Sequence, residues 1–244
     1  MFNVTKLSVN LNRIALLRNS RNIGIPNVLN AAKIAIEAGT HGITVHPRPD
    51  KRHIKPEDVY ELAQMLTVEF NIEGNPFQGN FMDMVCEVKP TQCTLVPDAA
   101  DAFTSDSGWN LAENRHYLIP VIQKLKSLGI RISLFMDADS TQILLAKEIG
   151  ADRVELYTEP YATAFRAGEV ETVFQKYIQA AKTAEENDLG VNAGHDLNLQ
   201  NLKKFCSIPN ILEVSIGHGL IAEALEMGLH DTVKAYLKIL SSTS

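Results

Sequence analysis

The chain has 244 residues, a length that suits one α/β barrel with a large core and calls for no stabilising staple. Lys and Arg total 23 against 29 Asp and Glu, a net charge of −6, and no stretch gathers about five or more basic residues; this argues against nucleic acid or an anionic membrane as main partner. Any anionic ligand must therefore be held locally. Cys86, Cys93 and Cys206 are odd in number and lack metal-ligand spacing, so they read as buried thiols in a reducing compartment. The N-terminal residues run straight into a strand-like segment without an apolar leader. No apolar run approaches the roughly 18 residues of a membrane span, and the expected location is the cytoplasm.

Along the chain, short segments rich in Val, Ile and Leu alternate with amphipathic ones, the pattern of parallel βα units. Strands are predicted over residues 7–10, 42–46, 70–73, 93–96, 131–137, 153–157, 190–193 and 212–216. Helices are predicted over 27–37, 56–68, 81–88, 114–128, 141–149, 170–187, 199–205 and 221–239. Lys55-Pro56-Glu57-Asp58 reads as a helix start, and Gly39, Gly129 and Gly150 as helix ends. Eight units, with no early G-x-G-x-x-G turn, favour a closed barrel over an open doubly wound sheet. The expected architecture is a single (β/α)8 TIM barrel spanning 1–244, with additional short helices. The longest irregular stretches are 96–110 and 158–168, and loops of that length in a compact barrel are usually functional lids or packing insertions.

In such a barrel, the site forms at the C-terminal ends of the strands. The strand ends here carry Asn10, Asn12, Arg13 and Arg21 after the first; His46, Arg48 and His53 after the second; and Glu73 on the third. Glu155 lies on the sixth, Asn192, His195 and Asp196 on and after the seventh, and Gly217 and His218 after the eighth. A lone histidine after a strand is most often structural. Three of them with two glutamates around one mouth point instead to acid–base chemistry near neutral pH. Arg48 and His53 lie in the one local basic cluster and suit an anion, whereas Lys51 and Arg52 read as a solvated loop with Asp50 as counter-ion. Gly217-His218-Gly219, between the last strand and the last helix, suits a phosphate, with a tight turn as the alternative.

The histidines lack metal-ligand spacing, and Asp139 reads as a helix cap rather than a Mg²⁺ ligand. No strand carries an inward lysine for a Schiff base, so an amine nucleophile must arrive with a substrate.

The motifs SVN (8–10), IALLRNSR (14–21), GITVHPRPDKRHI (42–54) and FNIE (70–73) resemble those of the pyridoxine 5′-phosphate synthase family. LVP (95–97), SLFMDAD (133–139), VELYT (154–158), VNAGH (191–195) and SIGH (215–218) continue the resemblance over nearly the whole chain. It implies condensation of 3-amino-2-oxopropyl phosphate with 1-deoxy-D-xylulose 5-phosphate, giving pyridoxine 5′-phosphate, inorganic phosphate and water, without metal or cofactor. It also implies that His46 and Glu73 accept protons, His195 donates one and Glu155 stabilises the transition state. By the same resemblance, Asn10, Gly217 and His218 hold the amino ketone phosphate, while Arg48, His53 and Thr104 hold the deoxyxylulose phosphate. Arg21 contributes from the first loop, Thr104 belongs to a mobile loop that closes over the substrates, and the assembly is a homo-octamer. Two positions depart from the commoner family pattern. Asn12-Arg13 stands where Asp-His is usual, and Asp196 where Gly is usual, which bears on both phosphate sites. Another phosphosugar isomerase or lyase, or a catalytically silent barrel, are the competing readings.

Overall fold

A computed structural model describes residues 4–21, 23–99 and 105–242. Its eight parallel strands are β1 (Lys6–Asn10), β2 (Gly42–Val45), β3 (Glu69–Gly74), β4 (Gln92–Leu95), β5 (Arg131–Met136), β6 (Arg153–Tyr157), β7 (Gly190–Gly194) and β8 (Ile211–Ile216). Each pairs with the next, and β8 closes on β1 through Lys6 opposite Glu213 and Ser8 opposite Ser215. All eight predicted strands are present.

Strand side chains alternate between faces, and here the alternation separates chemistry. Leu7, Val9, Ile43, Val45, Ile72, Leu95, Leu134, Val154, Ala193 and Val214 are all fully buried within the main apolar core that includes the helices. The residues between them are polar and meet inside the barrel. Lys6 on β1 and Arg131 on β5 both pair with Glu69 on β3, and Thr94 on β4 reaches Glu155 on β6 at 3.5 Å. Contacts between non-neighbouring strands require side chains that point inward. A barrel interior is usually filled by branched apolar residues; this one is filled by hydrogen-bonded side chains such as Ser8–Thr44 (2.7 Å) and Thr94–Asn71 (3.0 Å).

Around the barrel lie α1 (Asn12–Asn19), α2 (Val28–Glu37), α3 (Pro56–Met65), α4 (Phe81–Val88), α5 (Leu111–Ser127) and α6 (Ser140–Glu148). They are followed by α7 (Glu159–Ala167), α8 (Val170–Glu186), α9 (Leu202–Phe205), α10 (His218–Met227) and α11 (Leu229–Ser241). Asp139 caps α6 by accepting from Thr141 N at 2.8 Å, and Gly39, Gly129 and Gly150 have the positive φ expected after helices.

Three features correct the sequence reading. Helix α1 was not predicted because it has no capping side chain and no acidic first turn. Tertiary contacts hold it instead: Arg18 pairs with Asp58 of α3, and Asn19 Nδ2 donates to the His53 carbonyl at 2.7 Å. Residues 158–168, expected to be irregular, contain α7. Its signal is Pro160 in the first turn and Gly168 (φ +76°) at the end, and it is anchored by the fully buried Tyr161, whose hydroxyl donates to Asn201 O at 2.8 Å. The final helix is two, α10 and α11, broken at Gly228 with φ +78°. Cys93 and Cys206 are buried and Cys86 partly so, all as free thiols. No described helix is long and apolar enough to cross a membrane.

Candidate active site

Parallel strands deliver their C-terminal ends to one mouth, so residues at those ends converge without being near in sequence. His46 follows β2, Glu73 lies near the end of β3, Glu155 on β6 and His195 directly after β7; all four line one cavity of about 360 Å³. Asn10, Asn12, Arg13, Arg48, His53, Asp196, Gly217 and His218 line it too. That volume is in the usual range for a small-molecule site.

The sequence also explains how these side chains are held. Asn10 Oδ1 accepts from Asn12 N at 3.0 Å, which aims Asn10 Nδ2 at Glu73 Oε2, 3.4 Å away. Asn12 Oδ1 accepts from His46 N at 2.8 Å, so this amide positions the histidine as well as lining the cavity. His195 sits against the Phe135 and Tyr157 rings, with centroids 5.0 and 5.5 Å away. His195 and Asp196 have φ of +81° and +54°, two successive left-handed residues at the rim. Such strain persists only where surrounding contacts fix it. Thr158 does so: its hydroxyl donates to Gly194 O at 2.6 Å and to His195 O, and its N–H donates to Gly194 O at 3.0 Å. Gly194 is required by close approach, because a Cβ there would lie 2.7 Å from Glu155 Oε1 and 3.0 Å from Ser215 O.

Electrostatics draw the four groups together. Burial depresses His46 well below the ordinary imidazole range, and His53, Arg48, His195 and Arg52 add to this. Burial also lowers His195, against opposing pulls from Asp196 and Asp98. Glu73 moves the other way, raised well above the carboxylate range by burial, then by Glu155 and Asp98. Glu155 is raised to about 8 by burial and by Glu213. Imidazoles pushed down favour their neutral, proton-accepting form and carboxyls pushed up favour their proton-holding form, which sets bases and acids side by side in one cavity.

The anion-binding candidates divide. Gly217 immediately precedes α10, which starts at His218, so main-chain N–H groups of a helix start border the cavity beside Asn10. His53, lowered to about 4 by burial and by Arg48 and Arg52, is neutral near pH 7 and can only donate or accept a hydrogen bond. Asp50 holds Arg52, with Oδ2 2.6 Å from Nε, as expected, yet Arg52 also lines the cavity. Arg48 is buried in an ion pair with Asp98, Nη1 to Oδ2 2.9 Å. Arg21 is exposed and is not among the residues lining the cavity. Thr104 lies outside the described residues. Among the described residues, no cluster of three or more His, Cys, Asp or Glu is arranged to hold a metal ion.

Sequence reasoning missed Asp98, Ser105, Tyr157 and Glu159. The last three line the cavity, and Asp98 reaches it through Arg48. Asp98 and Ser105 lie in the long 96–110 stretch, whose length was their only signal. Tyr157 is the inward residue two positions after Glu155, so strand alternation alone would have found it.

The family described as "Pyridoxal phosphate biosynthesis protein PdxJ" matches residues 7–242. A pyridoxine 5′-phosphate synthase from Christiangramia forsetii is 54% identical over 238 residues, covering 97% of this chain and 100% of the relative. Another of that name, from Parabacteroides distasonis, is 50% identical over 240 residues, covering 98% and 100%. Among solved structures, phosphoribosyl anthranilate isomerase from Thermotoga maritima superposes with a TM-score of 0.61 at 15% identity, covering 98% of this chain and 99% of that one; this likeness shows the fold alone. With the match running from the first strand to the last helix and half of all residues shared with such relatives, the chain belongs to the pyridoxal phosphate biosynthesis protein PdxJ family.

Proposed function

We propose that this cavity condenses 3-amino-2-oxopropyl phosphate with 1-deoxy-D-xylulose 5-phosphate to pyridoxine 5′-phosphate, releasing inorganic phosphate and water. The observation that carries this reading is the meeting of His46, Glu73, Glu155 and His195 in one cavity, with imidazole and carboxyl basicities shifted toward each other. The amino ketone brings its own amine; among the described residues one strand lysine does point inward, contrary to the sequence expectation of none, but this residue, Lys6, is tied to Glu69 at the far end of β1 from the cavity. Imine formation, loss of phosphate, dehydration and ring closure each move a proton. His46, kept neutral by burial, and Glu73 accept protons, His195 donates, and the Glu155 carboxyl, raised to about 8, supplies a hydrogen bond to charge that develops on oxygen.

Asn10, Gly217 and His218, with the Asp196 N–H, hold the amino ketone phosphate. Arg48, His53 and Thr104 hold the sugar phosphate, with Asn12 and Arg13 beside the sugar. The protein works as a cytoplasmic homo-octamer, and Arg21 contributes to substrate binding from the first loop. Incubating the purified protein with both phosphates and following pyridoxine 5′-phosphate by absorbance tests the reading; no product with both present contradicts it.

Asp196 gives a sharper test of the amino ketone phosphate site. Its left-handed backbone (φ +54°) is one that Asp tolerates and Gly adopts freely. Asp196→Gly should therefore change stability by less than about 1 kcal/mol, since relief of strain and lost chain stiffness offset. Removing the carboxylate should tighten inorganic phosphate binding by about tenfold, equivalent to ~1.4 kcal/mol of charge repulsion. Calorimetric titration and a thermal melt check both; weaker phosphate binding would show that the carboxylate is not near the anion.

A further inference from the structure

Arg48 is expected to grip a phosphate, but both ends of its fork are already directed at one short segment. Nη1 lies 2.9 Å from Asp98 Oδ2, and Nη2 donates to Ala99 O at 3.2 Å. The two side chains are 4% and 5% exposed, so the pair is screened by little water. A phosphate taken by two parallel N–H bonds from the Nη atoms needs these same two nitrogens, and the third nitrogen, Nε, is itself buried. A carboxylate and a phosphate sharing one buried guanidinium would repel each other strongly.

We propose that Asp98 is a positioning residue that neutralises Arg48 until the sugar phosphate arrives, and that the phosphate binds by displacing its carboxylate from the guanidinium. The proposal rests on the reading of Arg48 as the sugar phosphate's partner. An arginine this buried is costly without a counter-charge, which explains why a carboxylate stands there. Asp98 is also held so as to survive the exchange. Its main-chain carbonyl accepts from Asn75 Nδ2 at 3.0 Å and Gln78 Nε2 at 2.7 Å, so the backbone stays tethered when the carboxylate turns away. Ser105 Oγ donates to the same Oδ2 at 2.7 Å and remains a partner for the released carboxylate. The charged and titratable groups around the exchange are His46, Arg52, His53, Glu73 and His195, and Arg48 bears directly on His46 and His53.

The sign of the effect distinguishes exchange from simple bracing. If Asp98 competes with phosphate, Asp98→Asn binds inorganic phosphate more tightly, by about tenfold for ~1.4 kcal/mol of lost competition. The same variant lowers KM for 1-deoxy-D-xylulose 5-phosphate, leaves KM for the amino ketone phosphate in place and changes kcat less. Asp98→Glu stays near the unmodified protein, and Ser105→Ala, which loosens the carboxylate's hold, moves in the direction of Asp98→Asn by a smaller factor. In an Arg48→Gln background, Asp98→Asn has no further effect on phosphate binding.

Weaker phosphate binding in Asp98→Asn, or an equal effect with and without Arg48, overturns the exchange. Should Asp98→Asn fail to fold, Ser105→Ala decides, and unchanged or weaker binding there overturns the proposal too. Failure of the underlying reading looks different: Arg48→Gln alone would then bind the sugar phosphate as well as the unmodified protein does.

Discussion

Glu73→Gln is expected to lower kcat for pyridoxine 5′-phosphate formation by about 10²–10⁴-fold, the usual contribution of a positioned acid–base group. The substitution keeps the shape of the side chain and an oxygen for Asn10 Nδ2, which lies 3.4 Å from Glu73 Oε2 in the native site. It removes only the capacity to take and return a proton. Burial, then Glu155 and Asp98, raise Glu73 well above the carboxylate range, so its carboxyl holds a proton that it can exchange with a substrate, which no amide can do. The loss should appear in kcat and kcat/KM alike, with both KM values little changed. A melt at least as high as that of the native protein would show that the fold survives, since a neutral group replaces one whose ionised form is disfavoured by its surroundings. Turnover within a few-fold of the native rate would remove Glu73 from the mechanism.

Glu155→Gln should give a variant that is both slower and more stable, with a stability gain that depends on pH. Glu155 is raised from 4.5 to about 8 by burial and by Glu213. The folded state thus keeps a proton that the unfolded chain releases above about 4.5. Stability linked to this group is fully present below that value and is lost as pH rises through about 8. Gln carries no such penalty. The melting temperature of Glu155→Gln minus that of the native protein should therefore grow from pH 5 to pH 8.5, and a constant difference across that window would contradict the burial argument. Activity moves oppositely, because a carboxyl held neutral at pH 7 donates a hydrogen bond that is lost on ionisation. The native enzyme should lose kcat/KM above about pH 8, and the variant should lack that limb. The pairing of lost activity with gained stability is expected where a site stores unfavourable electrostatics for function.

Much of the barrel was legible because hydrophobic periodicity and glycine or proline punctuation are local signals. The eight strands needed no more than that. Helix α1 was illegible for the converse reason: Arg18–Asp58 and Asn19–His53 join residues more than 30 apart, and nothing within Asn12–Asn19 announces a helix start. Helix α7 was readable from Pro160 and Gly168 but was lost beneath the expectation of a loop. The polar lining of the barrel was in plain view as alternation within the strands, yet each short segment reads as apolar when its Val, Ile and Leu are counted without regard to face.

In the site, the acid–base residues were found because strand ends are where such groups gather. What they rest upon was not. The hold of Asn12 on His46 N, the Thr158 contacts that fix His195 in a left-handed conformation, and the Asp98 carboxylate on Arg48 all depend on tertiary approach. The family resemblance assigned roles to residues, but the geometry shows which roles are shared. Asn12 both lines the cavity and orients a histidine, and Arg48 meets a carboxylate where a phosphate was expected.

Whether the imidazole and carboxyl set in this one cavity performs the condensation is tested most directly by the turnover of His195→Asn. Asn tolerates the φ of +81° that His195 adopts, whereas Ala does not, so the rim should keep its shape. Asn cannot shuttle a proton. Formation of pyridoxine 5′-phosphate from the two substrates is expected to fall by at least about 10²-fold while inorganic phosphate binding is retained. Turnover within a factor of about two of the native protein, with phosphate binding intact, would contradict it.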